Sequence, residues 1–118
     1  MPESRPVQRL VCRADFLRIA KAGARASAPA LALQGMANRD GGSTVFLGFT
    51  VSRKVGTAVT RNRVKRRLRE AARAVFPRLA RPGTSYVVIG RRAALTRPFA
   101  DVKADLESAL DALHRKLK

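Results

Sequence analysis

Apolar residues recur at helical spacing in three segments of the chain, and each stripe predicts an amphipathic helix. The first helix is predicted over residues 13–22, ended by Gly23, and the second over residues 57–76, ended by Pro77. The third is predicted for the C-terminal segment, with Thr96 as its N-cap. The stripes consist of Phe16, Ile19 and Ala20 in the first helix, Val64, Leu68, Ala71, Ala72 and Val75 in the second, and Phe99, Val102, Leu106, Leu110, Leu113 and Leu117 in the third.

Three shorter segments between the helices have the composition of β-strands. Residues 44–51 (TVFLGFTV) and 85–90 (SYVVIG) are nearly continuous apolar and β-branched runs, which are typical of strands buried in a sheet. Residues 30–36 form a weaker, Ala-rich strand, and the turn sequence NRDGGS at 38–43 predicts a β-hairpin between residues 30–36 and 44–51. This order of elements predicts a single α/β domain over residues 1–118, with a flexible basic arm at residues 1–11.

The charge of the chain is strongly unbalanced. Its 118 residues include 25 Lys and Arg against 8 Asp and Glu, a formal net charge of +17. Solubility needs far less charge, so we expect a polyanionic partner, with nucleic acid as the first choice. No segment approaches the roughly 20 apolar residues of a spanning helix and no signal peptide is recognised, so we expect no membrane partner.

Cysteine and histidine are scarce, since the chain has one of each. An internal disulfide and a Cys/His zinc site are therefore not expected, which is typical of a protein of the reducing cytoplasm. We expect Cys12 to pack as a small apolar residue near a helix start.

The highest density of positive charge lies in the second predicted helix. It contains seven Lys and Arg residues against one acid, Glu70, so ion pairs inside the helix cannot balance its cations. At about 100° per residue, one arc beside the apolar stripe is polar, which predicts a helix that packs on the sheet and presents cations to phosphates. The arc consists of Asn62, Lys65, Arg66, Arg69 and Arg73. The recognition helix of a DNA-binding helix-turn-helix is an alternative, but the flanking segments look like strands.

Residues 51–73, VSRKVGTAVTRNRVKRRLREAAR, closely resemble the signature of the bacterial ribonuclease P protein subunit. The triplet Arg61-Asn62-Arg63 is the hallmark of this signature. The likeness extends to RADF at 13–16, to YVVIGRR at 86–92 and to the terminal helix. It implies a mostly antiparallel, four-stranded sheet with three helices and an unusual left-handed βαβ crossover through the basic helix.

The resemblance also implies a function. The family's RNA subunit is a ribozyme that uses Mg²⁺ to remove the 5′ leader from precursor tRNA, while the protein binds that RNA and the leader. The protein alone is then expected to have no catalytic residue and to bind no metal or cofactor. The residues implied for the catalytic RNA are Arg61, Asn62, Arg63, Lys65, Arg66 and Arg69, and those implied for a leader cleft between the first helix and the sheet are Phe16, Arg53, Lys54 and Arg92.

Two positions depart from the family's pattern. Many relatives have an aromatic residue one helical turn after Phe16 and another in the first strand, where this chain has Ala20 and Gln34. A cleft with one aromatic residue stacks bases less well, so we expect leader binding to depend more on Arg53 and Lys54. An ordinary core position for Phe16 is the alternative.

The inventory of acids and histidine predicts no catalytic site in the protein itself. Asp101 and Asp105 are four residues apart, a spacing that could hold Mg²⁺, but the helix dipole explains carboxylates near a helix N-terminus. His114 near the other end of that helix has the same explanation. The remaining alternatives to a ribonuclease P subunit are a ribosomal or chaperone-like RNA-binding protein and a DNA-binding regulator, and the favoured function implies no DNA partner.

Overall fold

A five-stranded sheet forms the centre of the molecule, with helices on both of its faces. The computed structural model describes residues 7–117. In chain order the elements are β1 (Val7–Arg9), α1 (Arg13–Ala22), β2 (Ala24–Ser27), β3 (Leu31–Ala37), β4 (Val45–Val51), α2 (Ala58–Leu79), β5 (Thr84–Gly90) and α3 (Phe99–Leu117). Short 3₁₀ turns at Arg53–Val55 and Arg92–Leu95 follow β4 and β5. Within residues 7–117, no helix combines the length and the apolar character that a membrane span requires.

The sheet is mixed, with the strand order β1-β4-β5-β3-β2. β4 and β5 are parallel neighbours connected by α2, and β1 lies parallel to β4 at one edge. β3 pairs antiparallel with both β5 and β2. The three helices and the βαβ crossover are confirmed, whereas the mostly antiparallel, four-stranded sheet is wrong in number and direction because β1 adds a parallel edge strand. The left hand of the crossover stays a prediction.

The predicted hairpin between residues 30–36 and 44–51 is also wrong. Both segments are strands, but β5 lies between them and pairs with each. The connecting loop is closed by hydrogen bonds that cross the start of β5: the Asn38 N–H donates to the Gly83 carbonyl, and the Gly83 N–H donates to the Ser43 carbonyl. The Asn38 side-chain amide also donates to the Thr44 carbonyl at 2.6 Å. The turn sequence therefore forms a loop that passes the start of β5.

The predicted flexible arm at residues 1–11 is wrong where the structure describes it. Residues 1–6 lie outside the described residues, but Val7–Arg9 form β1. Leu10, which follows β1, is buried, and its N–H donates to the Leu47 carbonyl at 3.0 Å. Cys12 occupies the N-cap position of α1 and is exposed, so it does not pack in the core as expected.

The predicted helix ends are partly correct. Gly23 caps the C-terminus of α1 as expected. α2 continues through Pro77 to Leu79. Pro77 removes one N–H donor, but the Ala80 N–H beyond it still donates to the Phe76 carbonyl at 3.0 Å. Thr96 does not cap α3, since it follows the second 3₁₀ turn and the Pro98 carbonyl accepts the first bonds of that helix.

Buried side chains form one cluster on each face of the sheet. The larger cluster joins the sheet to α2 and α3, and the smaller one contains Leu10, Ile19 and Val87 beneath α1. α2 packs closely on the sheet at Gly90, where an added Cβ atom would lie 2.6 Å from Cγ1 of Val64. A larger residue at this position would push the helix away, so the close packing fixes the orientation of α2 on the sheet.

Candidate nucleic-acid interface

The basic helix α2 is capped at its N-terminus and has one buried face from Val64 to Phe76. The Thr57 hydroxyl accepts the Thr60 N–H at 3.3 Å, which satisfies one of the unpaired donors at the helix start. The buried face consists of Val64, Leu68, Ala71, Ala72, Val75 and Phe76, which includes every residue of the predicted apolar stripe. The opposite side of the helix is therefore presented to solvent in a fixed orientation.

The predicted cationic strip lies along this solvent-facing side. Its members other than Lys65 are exposed, and Lys65 is half-buried beside them. Arg73 pairs with Glu70 at 3.5 Å, whereas Lys65, Arg66 and Arg69 form no ion pair with any described residue. The strip therefore concentrates unbalanced positive charge on a rigid helix.

The structure separates the members of the triplet Arg61-Asn62-Arg63. Successive residues of a helix differ by about 100° in direction, so Arg61 and Arg63 diverge to opposite sides of Asn62. Arg61 is half-buried, and its Nε atom has no hydrogen-bond partner among the described residues. Asn62 and Arg63 are exposed. Of the three residues, only Asn62 lies centrally in the strip.

Arg67 has an internal role that sets it apart from its neighbours. Its guanidinium Nη1 donates to the carbonyls of Ala94 and Leu95 at 2.6 and 3.0 Å, so it joins α2 to the second 3₁₀ turn. Adjacent Arg66 is exposed and has no such contact within residues 7–117. Two successive arginines of one basic run therefore differ in their contacts.

Three cations predicted for the leader cleft lie near one another beyond the ends of β4 and β5. Arg53 and Lys54 are exposed on the first 3₁₀ turn, where the Ser52 hydroxyl accepts the Lys54 N–H at 3.1 Å. Arg92 begins the second 3₁₀ turn, and its Nη1 donates to the Val55 carbonyl at 2.7 Å. This bond brings the two turns together, so the three side chains form one basic edge of the molecule.

Phe16 packs against the opposite face of the sheet from α2, at the position of Gly48. A Cβ atom added to Gly48 would lie 2.4 Å from the ring of Phe16, so the ring rests directly on the strand backbone. Phe16 is half-buried and also packs against the smaller core cluster. It therefore has both a structural role and an accessible part.

A groove of about 800 Å³ runs along the β1 edge of the sheet, between that edge and α2. Phe16 lies at its border with Lys65 and Arg69, whereas Arg53, Lys54 and Arg92 do not line it. The structure therefore groups Phe16 with part of the strip rather than with the basic edge. Sequence reasoning missed Arg9, Phe49 and Phe76 in this groove because nothing in the pattern indicated that Val7–Arg9 pairs with β4.

The two departures from the family pattern have different surroundings. Ala20 is exposed on α1, which rules out a core position for it. Gln34 is only 7% exposed, in the middle of β3 and opposite Val87 of β5. An aromatic residue at position 20 would thus meet solvent, whereas position 34 belongs to the packed sheet.

The acids of α3 are held in structural contacts. Asp105 is buried, accepts the Ala30 N–H at 3.1 Å and pairs with Nε of Arg97 at 2.8 Å, so its carboxylate holds the loop before β3. Asp101 is exposed. Within residues 7–117, no group of three or more His, Cys, Asp or Glu side chains is arranged to hold a metal ion.

His114 lies against the core at the far end of α3. Its Nε2 atom is 2.6 Å from the Tyr86 hydroxyl, which accepts the Arg81 N–H at 2.9 Å. Burial lowers the pKa of His114 below its ordinary value of 6.5, and the charge of Arg81 lowers it further, against a smaller opposing effect of Asp111. The neutral ring is therefore favoured, and its contact with Tyr86 explains the position of His114 better than a catalytic role does.

Comparison with known proteins agrees with this geometry. The family model described as Ribonuclease P matches residues 5–114. The ribonuclease P protein component of Paramagnetospirillum magneticum is 48% identical over 108 residues, covering 88% of this chain and 80% of that protein. That of Ruegeria pomeroyi is 50% identical over 105 residues, covering 86% and 82%. The solved structure of the RNase P protein from Thermotoga maritima has a TM-score of 0.73 at 32% identity, covering 92% of this chain and 96% of that one. The chain therefore belongs to the ribonuclease P protein family, whose members are protein components of this tRNA-processing enzyme.

Proposed function

We propose that the protein binds the catalytic RNA of ribonuclease P through α2 and the 5′ leader of precursor tRNA on the α1 side of the sheet. The observation that supports this most strongly is that Lys65, Arg66 and Arg69, on a rigidly packed helix, form no ion pair with any residue among 7–117. Such a surface pre-organises positive charge, and its planar guanidinium groups match the geometry of phosphate oxygens. Binding then requires little ordering of the protein.

We place the cleavage chemistry and the Mg²⁺ ions on the RNA subunit. The arrangement of possible metal ligands supports this, because Asp105 is already bonded to Arg97 and to a backbone N–H, while Asp101 is exposed. The Nε2 atom of the neutral His114 ring is already hydrogen-bonded to the Tyr86 hydroxyl. The protein contributes a cationic surface, which lowers the concentration of Mg²⁺ that the folded RNA needs.

The leader is proposed to contact Phe16 and the basic edge formed by Arg53, Lys54 and Arg92. Phe16 rests on Gly48, and the five residues from there to Arg53 correspond to about 16 Å of extended strand. A single strand of a few nucleotides is long enough to reach from one to the other. The aromatic ring offers a stacking surface and the edge offers phosphate contacts. A cytoplasmic location follows from this function, because bacterial tRNA precursors are processed there.

The test is reconstitution with the RNA subunit and a precursor tRNA. Arg66→Ala and Arg69→Ala should each weaken binding of the RNA subunit by on the order of 10-fold, since a charge-assisted hydrogen bond contributes about 1 to 3 kcal/mol. Arg115→Ala is the matched control, because Arg115 is exposed on α3 and paired with Asp111. An equal loss in the control would mean that only net charge matters and would contradict a specific strip.

Two further measurements test the division of labour. The protein without RNA should leave precursor tRNA intact, and specific release of the leader by protein alone would refute the placement of the chemistry on the RNA. RNA recovered with the protein from its native cells should be dominated by one structured species. Recovery of whole ribosomal RNA would favour the alternative of a ribosomal or chaperone-like RNA-binding protein.

A further inference from the structure

The groove beside β1 has an apolar floor that neither α2 nor α3 covers completely. Leu47 and Phe49 of β4 and Ala72 and Phe76 of α2 form this floor. Phe76 is fully buried and contacts the Tyr86 ring edge to face, with 5.2 Å between ring centroids. Phe49 is only half-buried, so one part of its ring remains open to the groove.

The sides of the groove are positively charged. Arg9 lines it from β1, and Lys65, Arg69 and Arg73 line it from α2, while none of the described residues around it is Asp or Glu. The guanidinium of Arg69 lies over the Phe49 ring, 5.9 Å from its centroid. Arg69 is exposed and long, so its guanidinium can move outward without disturbing the core.

We propose that this groove binds one unpaired nucleotide of RNA, whose base lies between the Phe49 ring and the Arg69 guanidinium. The apolar floor suits the flat face of a base, and the surrounding cations suit the phosphates on either side of it. An acidic peptide would satisfy the cations but would leave the aromatic floor unmatched. Phe16 borders the groove, but its ring packs on the other face of the sheet from Phe49, so this nucleotide is distinct from the proposed leader contact.

The proposal rests on the proposed function only in taking RNA as the partner. It adds that the α2 surface recognises an unstacked base in addition to the RNA backbone. Base stacking on an aromatic residue is sequence-tolerant, because every base has a π-face. The groove should therefore prefer a flipped-out or single-stranded nucleotide over a regular duplex, without selecting a particular base.

The experiment compares two probes of equal length and charge: a short oligouridylate and the corresponding abasic ribose-phosphate oligomer. Their affinities for the full chain are measured by fluorescence anisotropy. The intact protein should prefer the oligouridylate, and Phe49→Leu should reduce this preference by about tenfold, which lies within the range for a single stacked base. Phe46→Leu is the matched control, because Phe46 is a half-buried aromatic residue of the same strand that packs in the cluster on the other face.

The outcomes separate this proposal from the proposed function. If Phe49→Leu keeps the full preference for bases, or if the intact protein has no such preference, the base site is refuted while backbone binding by the strip stands. If neither probe binds, the proposed function fails as well. Should Phe49→Leu lower the melting temperature, Arg69→Lys gives the second test, since it retains the charge but loses the planar group. If Arg69→Lys keeps the same preference for the oligouridylate, the placement of a base between Phe49 and Arg69 is also refuted.

Discussion

Arg66 and Arg67 are adjacent in one basic run, yet the structure predicts opposite consequences for their replacement. In Arg67→Met the aliphatic part of the side chain is retained, but both hydrogen bonds to the carbonyls of Ala94 and Leu95 are lost. In Arg66→Met an exposed cation of the strip is lost and no described contact is broken. The pair is therefore matched in chemistry, in position along the chain and in charge removed.

The expected magnitude follows from the two hydrogen bonds of Arg67. A hydrogen bond to a charged group contributes about 1.5 to 3 kcal/mol. Arg67 is partly exposed, so water can replace part of each bond, and we expect a total loss of about 1 to 2 kcal/mol in the free energy of unfolding. For a domain of this size, that loss lowers the melting temperature by about 4 to 8 °C.

The assay combines thermal unfolding with RNA-subunit binding for both variants. Arg67→Met should unfold at a lower temperature and, below that temperature, bind RNA close to normally. Arg66→Met should have a free energy of unfolding within about 0.5 kcal/mol of that of the original protein, and it should bind RNA on the order of tenfold more weakly. If Arg67→Met keeps its melting temperature and loses RNA affinity, the internal role assigned to Arg67 is incorrect.

Three further predictions concern other parts of the molecule. RNA affinity should fall steeply with salt, and Arg69→Ala should reduce the slope of log affinity against log salt by about one; a slope near zero in the intact protein would contradict phosphate neutralisation. Because the folded-state pKa of His114 is lowered, the unfolded chain binds its proton more tightly, and the free energy of unfolding should decrease as the pH falls through 6.5 towards that lowered pKa. His114→Gln should remove this part of the pH dependence, so identical melting curves against pH for both proteins would disprove it. Ala20 is exposed one turn after Phe16, so Ala20→Phe should keep the melting temperature of the protein. The variant should bind leader-bearing substrate up to about tenfold more tightly and mature tRNA no more tightly. A lower melting temperature, or an equal gain for both substrates, would argue against a leader site on α1.

Local patterns were sufficient to predict the helices and the cationic strip. The apolar stripe of α2 and the polar arc beside it depend only on helical periodicity, and each stripe residue of that helix is buried as expected. The roles of Arg66 and Arg67 could be separated only in part, since periodicity places Arg67 outside the arc but gives no partner for it. Its partners are the carbonyls of Ala94 and Leu95, 27 and 28 residues away, which no local pattern indicates.

Strand pairing was the main failure of sequence reasoning, because pairing is not local. An apolar run such as β4 is compatible with any buried neighbour, and the turn at residues 38–43 favoured the strand next in sequence. β1 has three residues and β2 has the sequence ARAS, so neither has the β-branched composition that predicts a strand. Both are strands because a neighbouring strand offers them unpaired backbone groups.

The central position of β5 constrains the order in which the chain can fold. β5 is the last strand in sequence, yet it separates β3 from β4, so a chain that ends before residue 84 has only two disconnected strand pairs. Isolated two-stranded units are marginally stable, and closing a sheet through contacts distant in sequence is slow. During synthesis, the β1–β4 and β2–β3 pairs must therefore wait for residues 84–90. Until then the basic helix has no complete sheet to pack on, so its cationic strip acquires a fixed orientation only after β5 has joined the sheet.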